Sequence, residues 1–227
     1  MSEDTNVYLY KLLTGALLAQ DLQRDRSKQK EIGPSQVGGC ARQVFYQLTD
    51  KPKTNVTEKL SAILGTAIHA MIAEAIKRED PFGGNFLIEQ EMDAYGIPAH
   101  TDLYIRDKQL VVDWKTTTKA SLRYFPSEQQ IMQVQLYAHL LKANGEDPKT
   151  VSLVTIPRDG KMEHILVHSE PYNPEIAEAG LKWLADVRIA AEKGEVPAPE
   201  KPRHFCATYC EWYDSTGEMG CASLRRS

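Results

Sequence analysis

The clearest periodic signal in the chain spans residues 57 to 78. Leu60, Ile63, Leu64, Ala67, Met71 and Ala75 recur there at helical spacing. On a helical wheel His69 falls at the edge of this apolar arc, beside Gly65 and Ile76, and Gly65 lets another backbone approach closely. Residues 6 to 28 predict an earlier helix with a broad apolar face from Val7 to Leu17, ended by Ile32-Gly33-Pro34. Ser35 is placed to cap a short helix carrying Cys40, Arg42, Phe45 and Tyr46. Asp80-Pro81-Phe82-Gly83-Gly84 closes the helical region, and strand-like segments follow at about 86–92, 98–105 and 109–116. A helix at 127–143 carries Ile131, Val134, Leu136, Leu140 and Leu141. Strands at 151–156 and 162–168 flank a turn at Arg158-Asp159-Gly160, and a helix follows at 174–193. The order helix, three strands, helix, two strands, helix predicts a mixed α/β domain, a central sheet flanked by helices.

Composition changes this picture little. The apolar and charged fractions are those of a globular protein of 227 residues, long enough for one core. Apolar-rich stretches are interrupted by Lys, Glu, Gln or Asp, so no membrane span is expected. The acidic start Met-Ser-Glu-Asp-Thr, with Lys11 breaking the apolar residues that follow, is unlike a secretory signal, and a cytoplasmic location is expected. A net charge of −4 gives no global nucleic-acid signature, although a basic groove and an acidic site would cancel in a net count.

The segment from His100 to Lys115 concentrates the candidate chemistry. Alternate side chains of a strand share a face, so Asp113 and Lys115 project together, opposite Val112 and Trp114. With Asp107-Lys108 at the centre of the turn, Asp102 pairs with Asp113 across a hairpin. Directly opposed like charges are destabilising, and a divalent cation between the carboxylates offsets the repulsion. Hard oxygen ligands suit Mg²⁺ or Mn²⁺, and His69 as a nitrogen ligand suits Mn²⁺. Such an ion activates water against a phosphodiester, while Lys115 stabilises charge developing on the phosphate. Read alone, Asp-x-Lys also occurs by chance on exposed strands, and a lone His at a helix edge is commonly a boundary residue.

Gly65-Thr-Ala-Ile-His69, Asp102, Asp113-Trp-Lys115 and Gln133-Val-Gln-Leu-Tyr137 occur in the order found in RecB-type nucleases of the PD-(D/E)XK superfamily. From about residue 35 to 221 the chain resembles that family. The resemblance implies a restriction-endonuclease-like core and a metal-dependent deoxyribonuclease. It also implies metal ligation by His69, Asp102, Asp113 and the Trp114 main-chain carbonyl, with Lys115 catalytic. Gln133 and Tyr137 match the family's Gln-x-x-x-Tyr motif of the active site, and their spacing sets both on one helix face. Where family members often have Gly shortly before the first Asp, this chain has Ala99-His100-Thr101.

Four cysteines, Cys40, Cys206, Cys210 and Cys221, leave none over for a single tetrathiolate site. One cysteine before the core and three after it resemble the iron–sulfur nucleases, including the CRISPR-associated adaptation nuclease, and Cys40-Ala-Arg42 fits their upstream Cys-x-Arg element. The resemblance implies a [4Fe–4S] cluster stapling the C-terminal tail to the core. Structural zinc uses the same count. The expected organisation is a helical extension over 1–34, the nuclease core over 35–200 and the cysteine tail over 201–227, reached through the Pro-rich connector from Val196.

The expected partner is DNA, single-stranded or with free ends, met in recombination, repair or spacer acquisition. Arg42, Lys119 and Arg123 are candidates for its phosphates, and Tyr46, Tyr104 and Tyr124 for its bases. No P-loop helicase signature is present, so any unwinding motor is a separate protein. The alternatives are a flap or junction endonuclease and a non-catalytic, cluster-stapled DNA-binding module.

Overall fold

A computed structural model describes residues 5–23, 32–57, 59–201 and 203–223. The elements are α1 (Thr5–Gln23), α2 (Ala41–Leu48), α3 (Leu60–Ile76), β1 (Phe86–Ala94), β2 (Ile97–Ile105), β3 (Leu110–Thr117), α4 (Glu128–Ala143), β4 (Thr150–Pro157), β5 (Leu166–Pro171), α5 (Pro174–Lys193) and α6 (Arg203–Tyr209). The five strands form one mixed sheet in sequence order. All neighbours are antiparallel except β3 and β4, which run parallel because α4 crosses over between them. This is the expected sheet flanked by helices.

Two turns set the registers that matter. Tyr95 and Gly96, both at positive φ, make the two-residue connection between β1 and β2, a conformation glycine adopts without strain. The four-residue turn 106–109, with Gln109 at φ 50°, joins β2 to β3 and pairs Leu103 with Val112. Run one residue further, that register sets Asp102 opposite Asp113.

The crossover helix α4 is capped by Ser127, whose hydroxyl accepts from the Gln130 amide while the Gln130 side chain accepts from the Ser127 amide. Leu136, Ala138 and Leu140 on it are fully buried between the sheet and α5. Burying each such leucine contributes about 1.5–3 kcal/mol, which makes α4 a rigid platform. Asn173 caps α5, and Gly194 in the left-handed region ends it.

Several boundaries depart from expectation. The residue preceding α2 is Cys40, not Ser35, which lies in a 3₁₀ turn over Pro34–Gln36. The second strand of the last hairpin starts later than expected, because Met162–His164 closes another 3₁₀ turn. The distal part of the first predicted helix, 24 to 28, lies outside the described residues. Among the described residues one helical stretch, Leu60–Glu79, is long and apolar enough to cross a membrane by length and composition, a test that helices of non-membrane proteins also pass. That helix carries His69 to the sheet, as described next.

Candidate active site

Asp102 reaches across from β2 to β3, where its Oδ2 accepts from the Trp114 amide at 2.7 Å. This bond lies just beyond the last paired residues of the β2–β3 ladder, Leu103 and Val112, and ties the carboxylate to β3. Its other oxygen, Oδ1, lies 3.2 Å from Nδ1 of His69 on α3. The helix gets this close through Gly65, one turn earlier, where a side chain would meet the Thr116 hydroxyl at 3.1 Å. Burial pushes His69 down, yet Asp102 and Asp113 outweigh it, and the imidazole titrates above its ordinary value.

Asp113 is 2 % exposed. Its Oδ1 accepts from Gln133 Nε2 at 3.3 Å, and Lys115 Nζ lies 2.7 Å from Oδ2. That ion pair is off the hydrogen-bonding direction, so Oδ2 is a buried oxygen with an undirected lone pair. Burial pushes Asp113 up; Lys115 lowers it and Asp102 raises it, leaving the carboxyl at about 6. Gln133 ties the group together: its carbonyl oxygen accepts from Lys115 at 2.7 Å and its amide donates to Asp113 and to the Tyr137 hydroxyl at 3.1 Å. The ammonium on one side and the carboxylate on the other fix the orientation of the amide. Tyr137 is 3 % exposed and meets the site through Gln133, whose amide donates to its hydroxyl.

One residue was missed by the sequence reasoning. Glu89 on β1 sits between Ile88 and Gln90, whose partners Leu103 and Thr101 flank Asp102, and ligand atoms of His69, Glu89 and Asp102 fall within 4.8 Å of one another. Glu89 holds φ 49° inside a strand, a conformation that costs a non-glycine residue free energy and clusters at functional sites. The available signal was the Tyr95-Gly96 turn, which fixes residue 89 at the level of residue 102. Two carboxylates and an imidazole, with the buried oxygen of Asp113 beside them, suit a divalent cation.

The description "PD-(D/E)XK nuclease superfamily" matches residues 83–215, more than half of the sequence. The chain belongs to this superfamily. Among solved structures it is similar to the crystal structure of SSO0001, with a TM-score of 0.56 and 22% identity over 87% of this chain and 93% of that one. It is also similar to the alkaline exonuclease LHK-Exo from Laribacter hongkongensis, at 0.51 and 13% over 75% and 94% respectively. The same enzyme in complex with dAMP gives 0.50 and 15% over 74% and 93%. At these identities the likeness concerns the fold. No curated protein matches the sequence.

Beside the superfamily core, Cys40, Cys206, Cys210 and Cys221 all line one cavity. Burial and the neighbouring thiols push Cys206 up to about 11, and burial also raises Cys210. Two donors are aimed at Cys221 Sγ, the Ser223 amide at 3.4 Å and Arg42 Nη1 at 3.6 Å. Arg42 also donates to the Pro197 carbonyl at 2.5 Å, so its guanidinium is committed to this cavity and not to a strand of DNA. Tyr46 is 6 % and Tyr104 1 % exposed; a buried ring has no face for a base, and both are withdrawn as stacking residues. Arg123 and Tyr124 remain exposed beside the end of β3, the guanidinium 4.8 Å from the ring centre.

Proposed function

We propose that this protein is a Mg²⁺- or Mn²⁺-dependent deoxyribonuclease that degrades single-stranded or end-containing DNA as an exonuclease. The observation carrying this reading is the convergence of Asp102, Asp113 and Lys115 at one point of the sheet, with a buried Asp113 oxygen left without a directed partner. The superfamily is one of nucleases, and the alkaline exonuclease LHK-Exo shares its fold.

When bound, a divalent ion supplies Lewis-acid polarisation of the phosphodiester and a water activated at neutral pH. His69, Glu89, Asp102 and Asp113 hold it, with the Trp114 carbonyl as a further oxygen ligand. Lys115, held by Gln133 and Asp113, presents its ammonium to the phosphoryl oxygen on which charge builds. Gln133, bonded to both, holds the ammonium and the Asp113 carboxylate together at 2.7 Å, and Tyr137 braces Gln133. His69 must be neutral to ligate, so its raised pKa makes metal affinity rise with pH.

We read the cysteine cavity as the seat of a [4Fe–4S] cluster, on the resemblance of Cys40-Ala-Arg42 and the three later cysteines to the iron–sulfur nucleases, with a structural zinc as the alternative. A tetrahedral zinc with sulfur ligands at about 2.3 Å draws four thiolates to about 3.8 Å of one another. Among the described residues, the group of three or more ligand atoms within 4.8 Å of one another is His69, Glu89 and Asp102; the four thiols share their cavity at wider spacing than such a group. The role is structural, in a protein acting in recombination, repair or spacer acquisition.

End-labelled linear and closed-circular single-stranded DNA, incubated with Mn²⁺, separate the readings. Loss of the linear strand with survival of the circle is expected. Cutting of the circle makes the protein an endonuclease, and binding without cutting makes it a DNA-binding module.

A further inference from the structure

A second cavity, of about 380 Å³, opens beside the active site. Its walls include Ser61 in the first turn of α3, Thr116 and Thr118 at the end of β3, Ser121, Arg158 just after β4, and Tyr209 at the end of α6. Among the described residues, no Asp or Glu lines it. Arg158 donates to the Thr116 hydroxyl at 3.2 Å and, among the described residues, has no carboxylate within ion-pair reach. A half-buried guanidinium facing hydroxyls and no counter-charge is a site for an anion.

The position of the cavity says which anion. Thr117 lies two residues beyond Lys115 on the same strand face, about 7 Å along β3. Ser61, Gly65 and His69 are successive turns of one stripe of α3, so the helix that brings His69 to the metal site also walls the cavity. A strand with one phosphate at Lys115 therefore places a neighbouring phosphate at Arg158. Tyr209, about half exposed, supplies an aromatic face on the far wall.

We propose that this cavity binds the nucleotide next to the scissile phosphate, with Arg158 and the hydroxyls of Ser61 and Ser121 holding its internucleotide phosphate and Tyr209 stacking on its base. This rests on the nuclease reading and adds to it a substrate-binding role for the cysteine tail, because α6 carries both Cys206 and Tyr209. Recognition by phosphate and ring face is independent of base sequence.

The test uses the Asp113→Asn full-length protein, so that binding is read without cleavage, with fluorescein-labelled single-stranded oligonucleotides in Mg²⁺. Arg158→Ala is expected to weaken binding about tenfold for every sequence and to lower the salt slope by about one, while Arg158→Lys keeps most of the affinity. Tyr209→Ala is expected to lose at least about fivefold and Tyr209→Phe almost nothing. Melting temperatures confirm that each variant is folded. Equal losses for 5′-phosphorylated and 5′-hydroxyl strands support an internucleotide site; a loss confined to the phosphorylated strand overturns it in favour of an end pocket. Wild-type affinity and salt slope in folded Arg158→Ala overturn the proposal outright. If these losses appear while the wild-type protein cuts no DNA, the nuclease reading fails and the subsite stands.

Discussion

The two candidate metal sites are assembled in opposite ways. The acidic site grows out of two consecutive hairpins, β1–β2–β3, in which two turns fix the positions of Glu89, Asp102 and Asp113. The cysteine cavity joins residues from the two ends of the described chain, Cys40 at the start of α2 and three thiols beyond residue 205. In the first, the backbone ladder, Lys115 and Gln133 hold the ligands in place whether or not an ion is present. In the second, the tail is attached by burying Trp212 and Cys221 against the core and by bonds such as Trp212 Nε1 donating to the Lys51 carbonyl and the Asn55 side-chain amide donating to the Ala207 and Cys210 carbonyls. Burial raises ionisable ligands at both sites, Asp113 to about 6 and Cys206 to about 11, so at neutral pH metal binding releases protons chiefly from the thiols. Losing the ion therefore removes chemistry from one region and structure from the other.

The sharpest way to break this comparison is Asp113→Asn, which is expected to abolish cleavage, a loss of at least about a thousandfold. The same change is expected to stabilise the metal-free protein at neutral pH. The folded pKa of Asp113 lies above the ordinary 3.8, so the fold favours the neutral acid. As pH rises from about 4 to about 6 the wild type loses stability on this account, and above that range it carries the full penalty, on the order of 1–3 kcal/mol. His69, also raised, loses its stabilising charge as pH rises further, in the same direction. Thermal melts in chelator between pH 4.5 and 7.5 should therefore show a fall for the wild type that the Asn variant flattens. A variant that is no more stable than the wild type at pH 7.5 would refute the account of Asp113.

At the other site the order of effects reverses. Replacing any one of Cys40, Cys206, Cys210 or Cys221 with Ser is expected to lower the melting temperature by roughly 10 °C, several kcal/mol in a chain of this size. The four single variants should look alike, and double variants should add nothing, because one missing ligand already opens the joint. Anaerobically purified protein should be brown and hold about four irons and four sulfides per chain. Stoichiometric zinc without sulfide would replace the cluster by a zinc staple. A folded Cys40→Ser protein with full metal content would place Cys40 outside the site.

What the sequence made legible follows the same division. Strand alternation through Val111, Val112 and Asp113 and the turn at Asp107-Lys108 were enough to set Asp102 opposite Asp113, because a hairpin register is a local property. Glu89 escaped because its partnership with Asp102 depends on the Tyr95-Gly96 turn, and Tyr is an uncommon residue for a position requiring positive φ. Tyr46 and Tyr104 were misjudged for a different reason: an aromatic in a periodic segment reads the same whether it faces a core or a ligand, and only packing decides. Arg42 looked like a phosphate ligand because nothing local shows that its guanidinium turns toward Cys221, 179 residues away. The α3 apolar arc predicted the helix correctly but not its exposure, since Leu60, Leu64 and Met71 remain on the surface.

The smallest expected effect tests whether the two regions communicate. Glu211, next to Cys210, binds the segment leading into α3: its carbonyl accepts from the Thr54 and Asn55 amides at 2.8 and 3.0 Å, and its carboxylate pairs with Lys53 at 2.9 Å and Lys59 at 3.0 Å. Lys59 precedes the first residue of α3, and His69 lies nearly three turns further along. Both lysines are substantially exposed, so each pair is worth under about 1 kcal/mol and the backbone bonds carry the attachment. Lys59→Met should therefore lower the melting temperature by no more than about 2–4 °C. It should also change the Mn²⁺ concentration for half-maximal cleavage by less than about threefold, a bound set by the same small energy. A Cys210→Ser protein, with the joint at the cysteine cavity opened, should raise that Mn²⁺ requirement further. Equal shifts in the two variants would mean that one salt bridge transmits the whole effect of the tail on His69. A tenfold shift from Lys59→Met alone would show that the acidic site depends on the tail for its geometry, and the contrast between a self-supporting site and a stapled one would fail.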